Sequence, residues 1–216
     1  MDTTLDPRWQ AAINHSRYLA NILQSRPDLI PELATTWQEP LSEELLLAPL
    51  QQAFTDDDTV RATLRRLRHR AMAHLILRDL SGLAPLSEIV ESMTVLANVT
   101  TNFTLDYYHR QLVATYGEPL DKQGRPQRLM IIGMGKLGGR ELNVSSDIDL
   151  VYVYEDEGET RGAAPAADAA DRAPNPRTRI SAHEYFPRVA KKPYALTGDT
   201  TEDGFIFRVD LAPPPH

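Results

Sequence analysis

Apolar residues recur at helical spacing through the first half of the chain. From Pro7 to about Tyr116 they fall three or four residues apart, with few strand-like alternations. Helices typically begin at a capping aspartate or at a proline of the first turn, and they typically end at glycine. We therefore predict a helical bundle over residues 1–117. Its helices cover about residues 7–24 and 42–54, a helix capped by Asp58 that stops near Gly82, and a helix from Pro85 towards Gly117.

The pattern changes to strands after a polar, turn-rich connection at residues 117–126. A short apolar run at residues 129–132 and an alternating run at residues 148–154 predict two strands of a mostly buried sheet. Near the end, the alternation of side chains between two faces predicts a third strand. One face carries Phe205, Phe207 and Val209, and the other carries Ile206, Arg208 and Asp210. We expect this second domain to cover residues 126–216, so the predicted fold class is α+β.

Two segments of the second domain are harder to assign. Residues 158–177 are rich in alanine and proline and lack the apolar content to pack, which predicts a flexible surface loop. Residues 180–196 could form a helix, but Pro187 and Pro193 would each interrupt its hydrogen bonding.

Composition and charge describe an ordinary globular protein. The 216 residues are 42% hydrophobic and 25% charged, with no apolar run long enough to span a membrane and no secretory signal, so we expect a cytoplasmic protein. Zero cysteines leave carboxylates and histidines as ionisable metal ligands, which favours magnesium or manganese. The formal charge of -7 argues against nucleic acid as a partner.

One helix concentrates positive charge. Its arginines could dock an acidic partner or a polynucleotide backbone, but a solvated face paired with neighbouring carboxylates is the more ordinary interpretation. They are Arg61, Arg65, Arg66, Arg68 and Arg70.

A glycine-rich turn follows the first predicted strand. Gly133, Gly135 and Gly138 have the spacing of a dinucleotide-binding fingerprint. A parallel second strand would need a crossover of about 10–12 residues or more, and only residues 139–146 are available. A nucleotide P-loop is also excluded, since Lys136 is followed by leucine rather than serine or threonine. The turn is better interpreted as a phosphate-facing loop.

Asp147 and Asp149 are two residues apart on a predicted strand. That spacing puts both carboxylates on one face, where a divalent ion can bridge them. Asp210 is the candidate third ligand from an adjacent strand. Lys136, Arg208, Ser145 and Ser146 could contact phosphate oxygens. In-line nucleotidyl transfer requires this combination of metal ligands and phosphate-binding groups, although a capped turn, a solvated lysine and a paired arginine are the plain alternatives.

The segments GMGKLGGRELNVSSDIDLVYVY and EDGFIFRVDL resemble the bifunctional glutamine synthetase adenylyltransferase and adenylyl-removing enzymes. The helical segment RATLRRLRHRAMAHLILRDLSG is similar to the region that precedes them. The resemblance implies a DNA polymerase β-like nucleotidyltransferase sheet and a magnesium-dependent reaction. Such enzymes carry two catalytic domains, and DGFIFRVD is more like the first, which removes AMP from a glutamine synthetase tyrosine by phosphorolysis.

By this resemblance, Asp147, Asp149 and Asp210 hold magnesium, and Gly135 and Ser146 belong to the phosphate-side loop. The implied partners are glutamine synthetase, a PII-type nitrogen signal protein, adenine nucleotide and phosphate. The family continues past its third aspartate, whereas this chain ends after three prolines, so we expect a truncated, incomplete version of the first domain. Two other functions stay open, which are an inert module that binds glutamine synthetase or PII, and nucleotide transfer to RNA or an antibiotic.

Overall fold

The computed structural model describes residues 6–165, 173–198, 206–207 and 209–211, with side chains for all of these except 193–198 and 209–211. Helices dominate and a small sheet follows them, which confirms the predicted α+β class. The helices are α1 Pro7–His15, α2 Arg17–Ser25, α3 Leu29–Thr36, α4 Glu43–Leu47, α5 Asp57–Leu80, α6 Leu86–Tyr116, α7 Gly135–Gly138 and α8 Ala182–Gly198; the strands are β1 Met130–Gly133, β2 Ile148–Val153 and β3 Val209–Leu211.

Several predicted helix boundaries were wrong. The single helix predicted over residues 7–24 is two helices, because Ser16 adopts an extended conformation and its Oγ accepts a hydrogen bond from the Leu19 amide. Helix α5 is capped by Asp56 rather than Asp58, since the Asp56 carboxylate accepts from the Thr59 amide at 2.7 Å. The helix predicted over 42–54 ends in a 3-10 turn at Ala48–Leu50, and α3 was not predicted.

Some arginines of the predicted basic face of α5 are buried, and another forms ion pairs at the surface. Arg65 and Arg68 are each only 8% exposed. Arg66 forms ion pairs with Asp28 and Glu32 of the neighbouring α3 segment. The structure therefore favours pairing and packing within the protein over a free basic surface.

The sheet has the strand order β1-β2-β3. Strands β1 and β2 run antiparallel, with Met130 opposite Val153 and Gly133 opposite Leu150. Strands β2 and β3 run parallel. The antiparallel pairing excludes a parallel β-α-β unit around the glycine-rich turn, in agreement with the short connection in the sequence.

The approach to β3 departs from the predicted alternation. The strand was predicted to begin at residue 205, but Ile206 and Phe207 precede β3 and both are buried, at 0% and 1% exposure. They join the main core instead of facing opposite sides of a sheet. Phe205 and Arg208 lie outside the described residues.

Helix α8 runs from Ala182 to Gly198 and includes both Pro187 and Pro193. The helix considered over residues 180–196 is therefore present, and it continues through both prolines. The apolar face of α8 compensates for their lost hydrogen bonds, since Tyr185, Phe186 and Val189 are buried in a second core cluster with Leu129.

The main hydrophobic core is continuous across the predicted domain boundary. It combines bundle residues such as Leu64 and Met93 with Leu142, Ile148 and Leu150 of the sheet region. The division into residues 1–117 and 126–216 stays a prediction.

The two described ends of the predicted loop 158–177 form backbone hydrogen bonds with neighbouring segments and with each other. Isolated bridges pair Thr160 with Pro119 and Ala163 with Asn175, and the Gly162 amide donates to the Tyr116 carbonyl. Residues 166–172 in its centre lie outside the described residues. Within the described part of the chain, no helix is both long and apolar enough to cross a membrane.

Candidate active site

Strand β2 presents two carboxylates to solvent at its start. Ile148 and Leu150 are buried in the core, at 1% and 2% exposure, while Asp147 and Asp149 are exposed. This is the alternation expected of a strand with one packed face. The structure therefore places both predicted carboxylates on the open side of the sheet.

Strand β3 brings the third predicted aspartate beside them. Its parallel register pairs Asp210 with Asp149, and Ile148 with Val209. The side chain of Asp210 and the whole of Arg208 lie outside the described residues. The backbone nonetheless puts Asp210 at the position of β3 that neighbours Asp149.

The glycine-rich turn closes against β2. The Met134 amide donates to the Asp149 carbonyl at 2.8 Å, and the one-turn helix α7 follows. Gly135 has a left-handed backbone, with φ of 52°. A β-carbon at this position would lie 2.9 Å from Oδ2 of Asp149. Only glycine allows the turn to approach the carboxylate this closely without displacing it.

Asn143 organises the segment before the two aspartates. Its Oδ1 accepts hydrogen bonds from the Ser145 amide at 3.1 Å and from the Ser146 hydroxyl at 2.8 Å. Lys136 Nζ in turn lies 3.4 Å from Ser146 Oγ. The sequence prediction named the serines and the lysine but missed Asn143. An asparagine two residues before a serine pair is the signal for an Asx turn, and it could have identified this residue.

These side chains line one open pocket of about 420 Å³, which we call the carboxylate pocket. It combines two carboxylates, two hydroxyls, an amide and an ammonium group around a glycine turn. Such a set can hold a cation on one side and phosphate oxygens on the other. The residues that line it are Gly135, Lys136, Asn143, Ser145, Ser146, Asp147 and Asp149.

A second open pocket of about 420 Å³ lies beside α6 and is lined by Phe54, Tyr107 and Arg110 among others. It contains no carboxylate pair. The two pockets have equal volumes, but only the carboxylate pocket is lined by two carboxylates that could bind a metal ion. The carboxylate pocket is therefore the candidate active site.

The donor set suits a hard divalent ion. Carboxylate and hydroxyl oxygens are the ligands that magnesium and manganese prefer. Among the side chains that the structure describes, no three histidines, aspartates or glutamates cluster closely enough to hold a metal. The described part of the site therefore supplies two carboxylates, and the neighbouring position on β3 is occupied by Asp210.

An ion pair connects the pocket loop to the bundle. Arg140, just after the turn, has a left-handed backbone with φ of 57°. Its guanidinium forms two hydrogen bonds with the carboxylate of Glu91 on α6, one of them from Nε at 3.0 Å. The hydrogen bonds lower the pKa of Glu91. This exposed contact joins the segment after the turn to α6.

Comparison with known proteins identifies the family of the chain. The sequence model of the glutamate-ammonia ligase adenylyltransferase (GlnE) family matches residues 8–215. Because the match covers nearly the whole chain, the chain belongs to this family.

Relatives named bifunctional glutamine synthetase adenylyltransferase/adenylyl-removing enzyme are similar to it over almost its full length. The protein of Aromatoleum aromaticum is 42% identical over 205 residues, covering 95% of this chain and 20% of its own length. The protein of Nitrosomonas europaea is 39% identical over 227 residues, covering 100% of this chain and 23% of its own. The chain therefore spans about a fifth of the length of these curated relatives.

Proposed function

We propose that the carboxylate pocket removes AMP from adenylylated glutamine synthetase by phosphorolysis. The observation that carries the proposal is the exposed pair Asp147 and Asp149 in a chain of this family. The glycine-rich turn and the segment with Ser145 and Ser146 line the same pocket as this pair. The relatives' name includes both an adenylyltransferase and an adenylyl-removing activity. The resemblance of residues 203–210 to the first catalytic domain favours AMP removal. The proposed role is regulation of glutamine synthetase.

The proposed fold of the catalytic part is a DNA polymerase β-like nucleotidyltransferase sheet. Two features support it. The mixed sheet places Asp149 and Asp210 side by side on adjacent parallel strands. A glycine turn that leads into a one-turn helix borders the same end of the sheet. The family resemblance supplies the name of the fold.

Asp147, Asp149 and Asp210 are the proposed ligands of Mg²⁺, with Mn²⁺ as an alternative. When bound, such an ion neutralises charge on the reacting phosphoryl group and lowers the pKa of a coordinated nucleophile. The Asp147 and Asp149 carboxylates, which line the pocket, would hold such an ion. Gly135 contributes by leaving space beside Asp149.

The other pocket groups bind and orient phosphate. Lys136 brings an ammonium group next to Ser146. The Ser145 and Ser146 hydroxyls donate to Asn143 Oδ1 in the structure, and each can donate to a phosphoryl oxygen once it rotates away from that partner; Arg208 is a further proposed contact. An oxygen of inorganic phosphate attacks the AMP phosphorus and forms the new P–O bond. The bond to the tyrosine oxygen breaks, its electron pair stays on that oxygen and is protonated, and the products are ADP and free tyrosine.

The 216-residue chain, mixed with adenylylated glutamine synthetase, phosphate and Mg²⁺, tests this proposal. We expect phosphate-dependent loss of radiolabelled AMP from the substrate protein. Asp149→Asn should abolish this loss, because the amide removes a charged ligand. Asp79→Asn is the matched control, since Asp79 is exposed on α5 and does not line the pocket. Release that continues unchanged in Asp149→Asn would contradict the proposal.

The proposed partners are glutamine synthetase and, as a regulator, a PII-type signal protein. The alternative function, an inert binding module, makes a different prediction in the same experiment. Co-purification with glutamine synthetase without any AMP release, insensitive to Asp149→Asn, would favour that alternative.

A further inference from the structure

The residues that lead into β3 contact the helical bundle. Phe207 immediately precedes the segment that enters β3, and its ring is 1% exposed. The guanidinium carbon of Arg68, on α5, lies 4.9 Å from the centre of that ring. This distance is within the range of a cation–π interaction, which strengthens when the groups are removed from water.

Arg68 is itself buried, at 8% exposure. Burial lowers its pKa, while a hydrogen bond with the Tyr18 hydroxyl opposes that shift. An arginine stays charged in proteins, so this side chain carries a cation into the core. It connects α2, through Tyr18, and α5 with the residues that lead into β3.

In the part of the chain that the structure describes, β3 also contacts α8. Strand β3 has three residues, Val209–Leu211, and it pairs with β2 along one side. Short strands gain little stability from pairing alone. The residues just before it, Ile206 and Phe207, are buried in the main core.

We propose that Arg68 is a positioning residue for the carboxylate pocket: stacked on Phe207, it holds β3 in the register that pairs Asp210 with Asp149. The inference rests on the proposed function, because the register matters most if Asp210 helps to hold the metal. The basic helix thereby contributes to the site from within the core, without contacting the substrate.

Two measurements on the 216-residue chain test this inference. One is the affinity for Mn²⁺, measured by the relaxation of water protons. The other is hydrogen exchange of the backbone amides of residues 209–211, which reports the strand independently of any metal. Phe207→Leu keeps an apolar side chain and removes the ring. We expect faster exchange in β3 and a weakening of Mn²⁺ affinity of about 10-fold, as is typical when support behind a metal ligand is lost.

The variants of Arg68 separate charge from packing. Arg68→Met should reproduce both effects of Phe207→Leu, while Arg68→Lys, which keeps a cation over the ring, should retain most of the affinity. The matched control is Arg78→Met. Arg78 is also buried on α5, where it binds Glu88 and the Trp37 carbonyl. This control should lower the unfolding temperature without changing Mn²⁺ affinity or exchange in β3.

The outcomes distinguish the inference from the proposed function. Unchanged exchange and affinity in folded Phe207→Leu and Arg68→Met would overturn the inference, and so would equal losses in Arg78→Met. Asp149→Asn should lose Mn²⁺ binding with normal exchange in β3. If the native chain binds no Mn²⁺, the proposed metal site is wrong, whereas exchange in β3 still decides whether Arg68 and Phe207 hold the strand in register. If Phe207→Leu does not fold, Arg68→Met and Arg68→Lys decide the matter.

Discussion

Gly135 faces the carboxylate of Asp149 so closely that a β-carbon at position 135 would lie 2.9 Å from Oδ2. The backbone of Gly135 is also left-handed, with φ of 52°. Two separate constraints, one conformational and one steric, thus meet at a single residue of the carboxylate pocket. The glycine-rich turn thereby fixes the position of Asp149, a proposed metal ligand.

Gly135→Ala should impair the site more than the fold. The left-handed backbone costs an alanine about 1–2 kcal/mol, and the new methyl group displaces the Asp149 carboxylate. We expect Mn²⁺ affinity to fall at least about 10-fold, as for a disturbed ligand. Gly124→Ala is the control, because Gly124 has φ of +79° but open space around it. Similar Mn²⁺ affinity in the two variants would show that the steric contact does not matter.

Asn143→Ala should loosen the serine loop. The variant removes the oxygen that accepts hydrogen bonds from Ser145 and Ser146. Loss of roughly 1 kcal/mol of hydrogen-bond free energy, which orders the loop, would raise the apparent KM for phosphate about fivefold. Steady-state kinetics of AMP release measure this change. An unaltered KM would mean that the loop does not contact phosphate, and Asn102→Ala, at an exposed position of α6, controls for surface effects.

His74 predicts how stability depends on pH. Its ring is 1% exposed, and burial lowers its pKa from 6.5 to about 4, against the effect of the Glu39 carbonyl that it contacts at 2.9 Å. The unfolded chain therefore takes up this proton first as pH falls. The free energy of unfolding contains a contribution of roughly 3 kcal/mol that is complete above the unfolded-state pKa and is lost as pH falls towards the folded-state value.

His74→Gln keeps an N–H donor and removes the titration. Between pH 6.5 and pH 4, the free energy of unfolding of this variant should decline less than that of the native protein. Denaturant unfolding at several pH values measures the difference. His15→Gln, at an exposed position, should behave as the native protein does. If the free energy of unfolding depends on pH in the same way in His74→Gln and the native protein, the loss of stability does not come from His74.

A substitution at Gly117 tests the close backbone contact between the end of α6 and the segment after β2. A β-carbon there would lie 2.1 Å from the Gly162 carbonyl oxygen, and φ is +78°. Because backbone cannot move aside as a side chain can, Gly117→Ala should lower the free energy of unfolding by at least about 3 kcal/mol. Gly82→Ala, with φ of +68° and no neighbour within 4 Å, should lose only about 1–2 kcal/mol. Equal losses in the two variants would contradict the close approach.

Local patterns predicted the long elements well. Helix α6 begins after Pro85 and ends at Gly117, and β2 alternates in burial over residues 148–150, because proline, glycine and strand periodicity act over a few residues. The cap of α5 was missed because three consecutive aspartates can each cap a helix, and only the extended backbone at Asp56 selects one.

Tertiary packing explains the remaining differences. Nothing in the local sequence distinguishes Arg68, buried against Phe207, from the paired and more exposed Arg66. Pro187 is tolerated in α8 because the helix buries a large apolar face. At the site, the spacing of Asp147 and Asp149 predicted their shared exposure, whereas the contribution of Asn143 depends on how the loop folds over itself.

Transfer of radiolabelled inorganic phosphate into ADP tests the central claim most directly. The native chain, incubated with unlabelled adenylylated glutamine synthetase and Mg²⁺, should place the label in the β-phosphate of ADP. Asp147→Asn and Asp149→Asn should produce none, while Asp79→Asn should match the native rate. Release of AMP without labelled ADP, or labelled ADP from both pocket variants, would contradict phosphorolysis at this site.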